Sequence, residues 1–221
     1  MSERVYDVDA FAVLLRKHRK ISILSHVNPD PDAIGTALGV YTWLREQGYQ
    51  VEVVNASEDI PRFLDFLPYF SKIKQKLDFD DSLIITCDCG SVDRVGMVIE
   101  GRDIVNIDHH ATNTDFGTLN IVDSHAVASA EVAYQLLKAL HPVSQESAVA
   151  FYAALVSDTR NFTTNAMHQG VLLLASELVE LGVDIAMVSQ QMLHRRSLAS
   201  LRILGIAINS LQLRERRCSV C

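Results

Sequence analysis

The 221-residue chain reads as an α/β protein built on a doubly wound, mainly parallel sheet flanked by helices. Three observations predict this. Short runs rich in β-branched residues, at 21–25, 51–54, 82–86 and 104–107, alternate through the first half with segments of helical apolar spacing. The second half is a succession of helical patterns broken by one short strand near 119–122. Apolar residues make up 48% of the chain and charged residues 21%, enough for the core of one large domain.

In order, residues 8–19 carry apolar side chains at helical spacing, and I-S-I-L-S at 21–25 is the first strand. Asp30 is a natural N-cap for the next helix, with Pro31 at its first position, where a missing N–H costs nothing. That helix stops at Gly48, and Gly35 and Gly39 on one face predict close approach to the sheet. A second strand spans 51–54, a loosely patterned stretch runs to Leu77, and S-L-I-I-T at 82–86 is a third strand ending in C-D-C-G-S. A short helical piece, S-V-D-R-V, leads to the strand at 104–107, whose apolar run ends abruptly in Asp108, His109 and His110. Helices are expected at 127–140, 144–157, 168–181 and 184–193, with a long amphipathic helix over 197–213. No internal repeat is visible.

Composition narrows the function classes. A net charge of −7 argues against a broad basic surface for long duplex nucleic acid, but not against a small anionic substrate held by metals. No apolar run approaches membrane length, and the start M-S-E-R-V-Y-D lacks the apolar core of a signal peptide. Sparse cysteine usage fits a reducing cytosol, so a cytoplasmic protein is expected. Cys218 and Cys221 form half a zinc site or an isolated redox pair, while Cys87 and Cys89 read as small packed residues. His18, His141 and His194 read as surface residues, and His125 and His168 as solvated neighbours of the motifs.

Four segments bring acid or imidazole to expected strand ends or turns: His26/Asp30/Asp32, Asp88, Asp108/His109/His110 and Asp158. In open α/β sheets the carboxyl ends of strands are where ligands bind. So many carboxylates converging without cations would repel one another and force several pKa values upward. Two divalent cations would cancel that charge. Mixed oxygen and imidazole donors suit Mn²⁺, with Mg²⁺, Co²⁺ and Zn²⁺ as alternatives. A metal pair about 3.5–4 Å apart suits in-line phosphoryl hydrolysis.

The motifs H-V-N-P-D-P-D-A-I-G-T, D-C-G-S, I-D-H-H and V-S-D-T-R-N-F occur in the order and spacing of the DHH phosphoesterase family, which the chain resembles over residues 18–190. That resemblance implies one metal held by His26, Asp30 and Asp88, and a second by Asp32, Asp88, His109 and Asp158. It makes Asp88 the bridge, His110 the group facing the substrate phosphate, and Asp108 a support for the histidines. It implies a manganese-dependent enzyme acting on very short RNA or on small nucleotide phosphates. The alternatives are a pyrophosphatase or exopolyphosphatase, or a non-catalytic nucleotide-binding module. Arg160 stands where the family commonly has Gly, and reads either as a tolerated surface residue or as a phosphate clamp. By the same resemblance, residues 1–195 form the metal-dependent domain and 196–221 a connector helix and the truncated start of a C-terminal domain, whose glycine-rich, histidine-containing motif is not found. Homodimerisation is expected.

Overall fold

The computed structural model describes residues 6–195, 197–214 and 217–220. Strands β1 (Lys20–Ser25), β2 (Gln50–Val54), β3 (Ile73–Lys74), β4 (Leu83–Cys87), β5 (Ile104–Asp108) and β6 (Leu119–Val122) form a parallel sheet in the order β3-β2-β1-β4-β5-β6. The chain therefore winds outward in one direction from β1 and in the other from β4. Such a reversal opens a crevice at the carboxyl ends of the two central strands. Register aligns what enters it. Ser25 pairs with Cys87, and Cys87 with Ile107, so the next residues, His26, Asp88 and Asp108, stand in one row across three strands.

Alternation along the strands separates two cores. Ile21, Ile23, Leu83, Ile85, Val105 and Ile107 join the large cluster on one face, together with Phe11 and Leu15 from helix α1 (Val8–Lys17). Leu24, Ile84 and Ile104 point into a smaller cluster closed by Val95, Met97, Ile99 and Phe116. The large face is covered by α2 (Pro31–Glu46) and α3 (Ser129–Lys138), with α4 (Gln145–Asp158) packed against α2.

The glycines of α2 face a different neighbour from the expected one. A Cβ on Gly35 would lie 2.6 Å from the Ala150 carbonyl oxygen, and one on Gly39 would lie 2.4 Å from the Phe151 ring. These glycines let α2 approach α4 rather than the sheet. The cause is that both helices are buried nearly all round, so the small-residue stripe serves a helix–helix contact.

Beyond α4 come α5 (Gln169–Glu180), α6 (Ile185–Ser189) with a π-turn over Gln190–His194, and α7 (Leu198–Asn209). The expected long helix to 213 ends at Asn209 instead, because L-Q-L-R has period two and forms β7 (Leu211–Arg214), antiparallel to β8 (Arg217–Val220). Strand β3 also escaped the sequence pattern, since two residues carry no periodicity. Among the described residues no helix is long and apolar enough to cross a membrane. Cys87 and Cys89 are buried free thiols, whereas Cys221 and the side chain of Cys218 lie outside the described residues. His18 is not simply a surface residue: its Nε2 lies 2.9 Å from the Asp103 carboxylate.

Candidate metal centre

Each side chain in the crevice is delivered by a different local rule. His26 and Asp88 leave the ends of β1 and β4, and Asp88 holds a left-handed backbone (φ +58°) that short polar residues tolerate. Asp30 caps α2 by accepting the Ala33 amide at 3.0 Å, which turns the chain so that Asp32 in the first turn is fully buried. His109 and His110 follow β5. Asp158 is the last residue of α4, at the turn that ends the helix expected over 144–157.

The donor atoms converge. Asp88 Oδ2 lies 3.4 Å from His26 Nε2, which is itself 3.9 Å from Asp30 Oδ1. On the other side, His109 Nε2 lies 3.6 Å from Asp88 Oδ1, 3.8 Å from Asp32 Oδ2 and 3.7 Å from Asp158 Oδ2. These separations are too long for hydrogen bonds. They suit atoms that share a cation, since ligands about 2.1 Å from one ion stand ~3–3.5 Å apart. His26/Asp30/Asp88 and Asp32/His109/Asp158 each offer donors within 4.8 Å of one another, as do Asp88/His109/His110. The donor set therefore fits divalent cations, and Asp88 turns one oxygen toward each imidazole.

Electrostatics agree with a cluster of carboxylates short of compensating positive charge. Burial, then the charges of Asp88 and Asp158, push the Asp32 carboxyl well above its ordinary range. Burial and the charges of Asp30 and Asp88 push Asp158 up to about 7. Asp88 goes the other way: burial opposes its charge, but His26 and the Ser129 hydroxyl hold it below the usual value. For His26, burial disfavours the charged ring, yet Asp88 and the Val27 carbonyl raise its pKa overall.

His110 stands at the mouth, with 39% of its side chain exposed, and its Nδ1 lies 2.8 Å from Asp108 Oδ1. Asp108 raises the His110 pKa, chiefly through that hydrogen bond. Asp108 itself is fully buried and also accepts from Asn113 Nδ2 at 2.5 Å. It thus supports one histidine rather than both, for His109 Nδ1 instead lies 3.3 Å from the Ala126 carbonyl. Arg160 is exposed and begins a run of three left-handed residues, Arg160, Asn161 and Phe162; among the described residues no carboxylate pairs with it.

Two contributors lie outside the expected set. Ser129 donates its hydroxyl to Asp88 Oδ1 at 2.8 Å and its amide to Asp32 Oδ2 at 2.6 Å, and the Ala130 amide reaches Asp32 Oδ1 at 3.2 Å. The available signal was a helix starting without a capping side chain at Ala128, whose free amides need acceptors elsewhere. Arg94 lies with Nη2 3.0 Å from His26 Nδ1, and nothing in its sequence context distinguishes it from a surface arginine.

The profile of the DHH family, N-terminal domain, matches residues 20–157. The chain belongs to the DHH family. A bifunctional oligoribonuclease and PAP phosphatase NrnA of Thermus thermophilus is 36% identical over 180 residues, 79% of this chain and 54% of that protein. A probable bifunctional oligoribonuclease and PAP phosphatase NrnA of Streptococcus mutans is 28% identical over 189 residues, 83% of this chain and 60% of that one. The chain thus spans little more than half the length of these relatives. The crystal structure of an exopolyphosphatase-related protein from Bacteroides fragilis superposes with a TM-score of 0.88 at 24% identity, covering 97% of this chain and 68% of that one, which shows a shared fold.

Proposed function

We propose that this DHH-family chain is a two-metal phosphoesterase that hydrolyses short oligonucleotides or small nucleotide phosphates. The observation that carries the reading is Asp88, buried between two donor groups with Oδ2 toward His26 and Oδ1 toward His109. His26, Asp30 and Asp88 would hold one cation, and Asp32, Asp88, His109 and Asp158 the other. Carboxylate and imidazole donors together favour Mn²⁺, with Mg²⁺ and Co²⁺ as alternatives. Two cations held by these residues would supply water activation and neutralisation of phosphate charge for in-line displacement. The substrate class is supported by the relatives named as oligoribonucleases and PAP phosphatases.

The chain's own residues then have distinct tasks. Asp108 Oδ1 accepts the hydrogen bond from His110 Nδ1–H, so that in the imidazolium form the second hydrogen, on Nε2, is the one available to a phosphate or leaving-group oxygen at the mouth. Because Asp108 raises the His110 pKa, the ring carries its second proton further into the neutral range, as a proton donor requires. Ser129 and the α3 amides keep Asp88 and Asp32 oriented while their remaining lone pairs serve the cations. Arg160 is a second cationic group close in sequence to Asp158.

The test is hydrolysis of 3′-phosphoadenosine 5′-phosphate, a diribonucleotide and pyrophosphate, side by side, with Mn²⁺, Mg²⁺ or Co²⁺. Preference for the nucleotides with bound metal at two per chain supports the reading. Turnover of pyrophosphate alone, or no metal bound, overturns it.

A further inference from the structure

We propose that Arg94 is a substrate-phosphate-binding residue, its guanidinium gripping a non-bridging oxygen at the flank of the centre formed by His26 and His110; this rests on the phosphoesterase reading above. Arg94 lies on the 3₁₀ turn Val92–Val95 after β4, with an exposed side chain. Its main chain is fixed to the metal-site loop, because the Val27 amide donates to the Arg94 carbonyl at 2.8 Å. Gly96 (φ +72°) makes the approach feasible: a Cβ there would lie 2.3 Å from Val27 Cγ1. A backbone fixed in this way holds an exposed guanidinium beside His26 at the rim.

The contact with His26 is not one this arginine can keep once the ring binds a cation. Nδ1 of His26 lies 2.8 Å from the Val27 carbonyl and 3.0 Å from Arg94 Nη2. A single ring nitrogen cannot donate to the carbonyl and accept from the guanidinium at once. When Nε2 faces a cation, Nδ1 carries the hydrogen and serves Val27. The guanidinium, which only donates, then has no acceptor on the ring. Nor is Arg94 simply neutralising the acidic cluster, since among the described residues it forms an ion pair with no carboxylate. An exposed, displaced guanidinium beside a phosphate site is suited to bidentate phosphate recognition.

The experiment titrates the Mn²⁺-loaded full chain with inorganic phosphate by calorimetry, and measures Mn²⁺ affinity separately, for wild type, Arg94→Ala, Arg94→Lys and Arg160→Ala. Arg94→Ala should weaken phosphate binding roughly 10- to 100-fold, the worth of a lost charge-assisted hydrogen-bond pair. Arg94→Lys should recover part of the loss, and Mn²⁺ affinity should not change. With a dinucleotide, the loss should appear mainly in KM. Unchanged phosphate affinity in Arg94→Ala overturns the assignment, as does a parallel loss of Mn²⁺ affinity, which would make Arg94 a prop for His26. A loss confined to Arg160→Ala overturns it too. Wild type that turns over a dinucleotide while Arg94→Ala keeps its phosphate affinity sinks Arg94 alone; wild type that binds no Mn²⁺ sinks the metal-centre reading with it.

Discussion

Gly35→Ala tests whether the α2–α4 contact, and not the sheet alone, holds the two halves of the centre together. The new Cβ would meet the Ala150 carbonyl oxygen at 2.6 Å and the Ala154 Cβ at 2.9 Å. Neither neighbour can rotate away, because one is backbone and the other a methyl on a buried helix. Ordinary contact needs about 3.5 Å or more, so the helices must part by roughly 0.5–1 Å. Overpacking of that kind costs about 1–3 kcal/mol, against a helix-propensity gain of up to ~1 kcal/mol for replacing glycine. The net expectation is a loss of ~1–2 kcal/mol, or a melting temperature lower by about 3–6 °C for a chain of this size. Function should suffer more than stability. Gly35 is one turn from Asp32, and Ala154 one turn from Asp158, so separating the helices pulls two of the three donors around His109 apart. Thermal melts with EDTA and Mn²⁺ titrations check both halves of this expectation. Gly205→Ala is the comparison, since a Cβ there meets nothing within 4 Å and the same change should be neutral or stabilising. A Gly35→Ala protein that melts higher than wild type with full metal affinity would refute the reasoning.

The other expectations are briefer. Asp88→Asn keeps a side chain tolerant of the left-handed backbone but removes the charge shared by both donor groups, so turnover should fall at least about 100-fold, ~3 kcal/mol of transition-state stabilisation. Wild-type rates in that variant, alongside a dead Asp158→Asn, would move the bridge elsewhere. Ser129→Ala removes a hydroxyl from Asp88 while keeping the amide on Asp32, and should weaken Mn²⁺ binding about 10-fold with little change in fold, as followed by metal titration and circular dichroism. Lys17, and then His18, hold the Asp103 carboxyl below its ordinary value. A depressed acid contributes stability above its unfolded pKa of about 3.9 and loses it as pH falls through the folded value. Asp103→Asn should therefore cost ~0.5–1 kcal/mol at pH 7 and nothing near pH 2, where urea melts of the two proteins should coincide. Asp158 has the opposite sign: its raised acid holds a proton that the unfolded chain has released, so that stability declines from the unfolded pKa up to about 7. Metal-free Asp158→Asn should then be at least as stable as wild type at pH 8 yet gain less from Mn²⁺ than wild type does, and a large loss without metal would contradict this.

What the sequence made legible follows from what a buried strand forbids. Asp88 and the Asp108–His109–His110 run could be singled out because titratable side chains at the tip of an apolar strand have no packing role. Asp30 announced itself through a cap followed by proline. The parallel order was legible in outline, although the reversal between β1 and β4 emerges only from pairing. The direct contacts of Ser129 and Arg94 were not legible, since they run across more than 40 residues, Ser129 to Asp88 and Arg94 to His26. The direction of the Gly35–Gly39 stripe was misjudged for a similar reason: periodicity tells which face is small, not what presses on it. The end of α7 was missed because its side chains, including Ile203 and Ile206, stay largely exposed and give the helix no packing to mark its limit.

The carboxylates of the centre are unequally provided for, and that inequality is what bound cations would relieve. Asp32 receives two α3 amides and the Thr36 hydroxyl, yet its carboxyl remains pushed up, so the protein's own donors do not offset its burial beside Asp88 and Asp158. Asp158 receives no hydrogen bond among the described residues and is raised to about 7. Asp88 is the exception, held low by His26 and Ser129. The one carboxylate that must stay ionised to serve both donor groups is thus stabilised by the fold itself. The flanking ones are left with charge that only a metal, or a proton, can satisfy. Metal binding then competes directly with protonation at Asp32 and Asp158 but not at Asp88. A centre wired this way would load metal most readily above neutral pH, with the Asp88 oxygen pair already ionised.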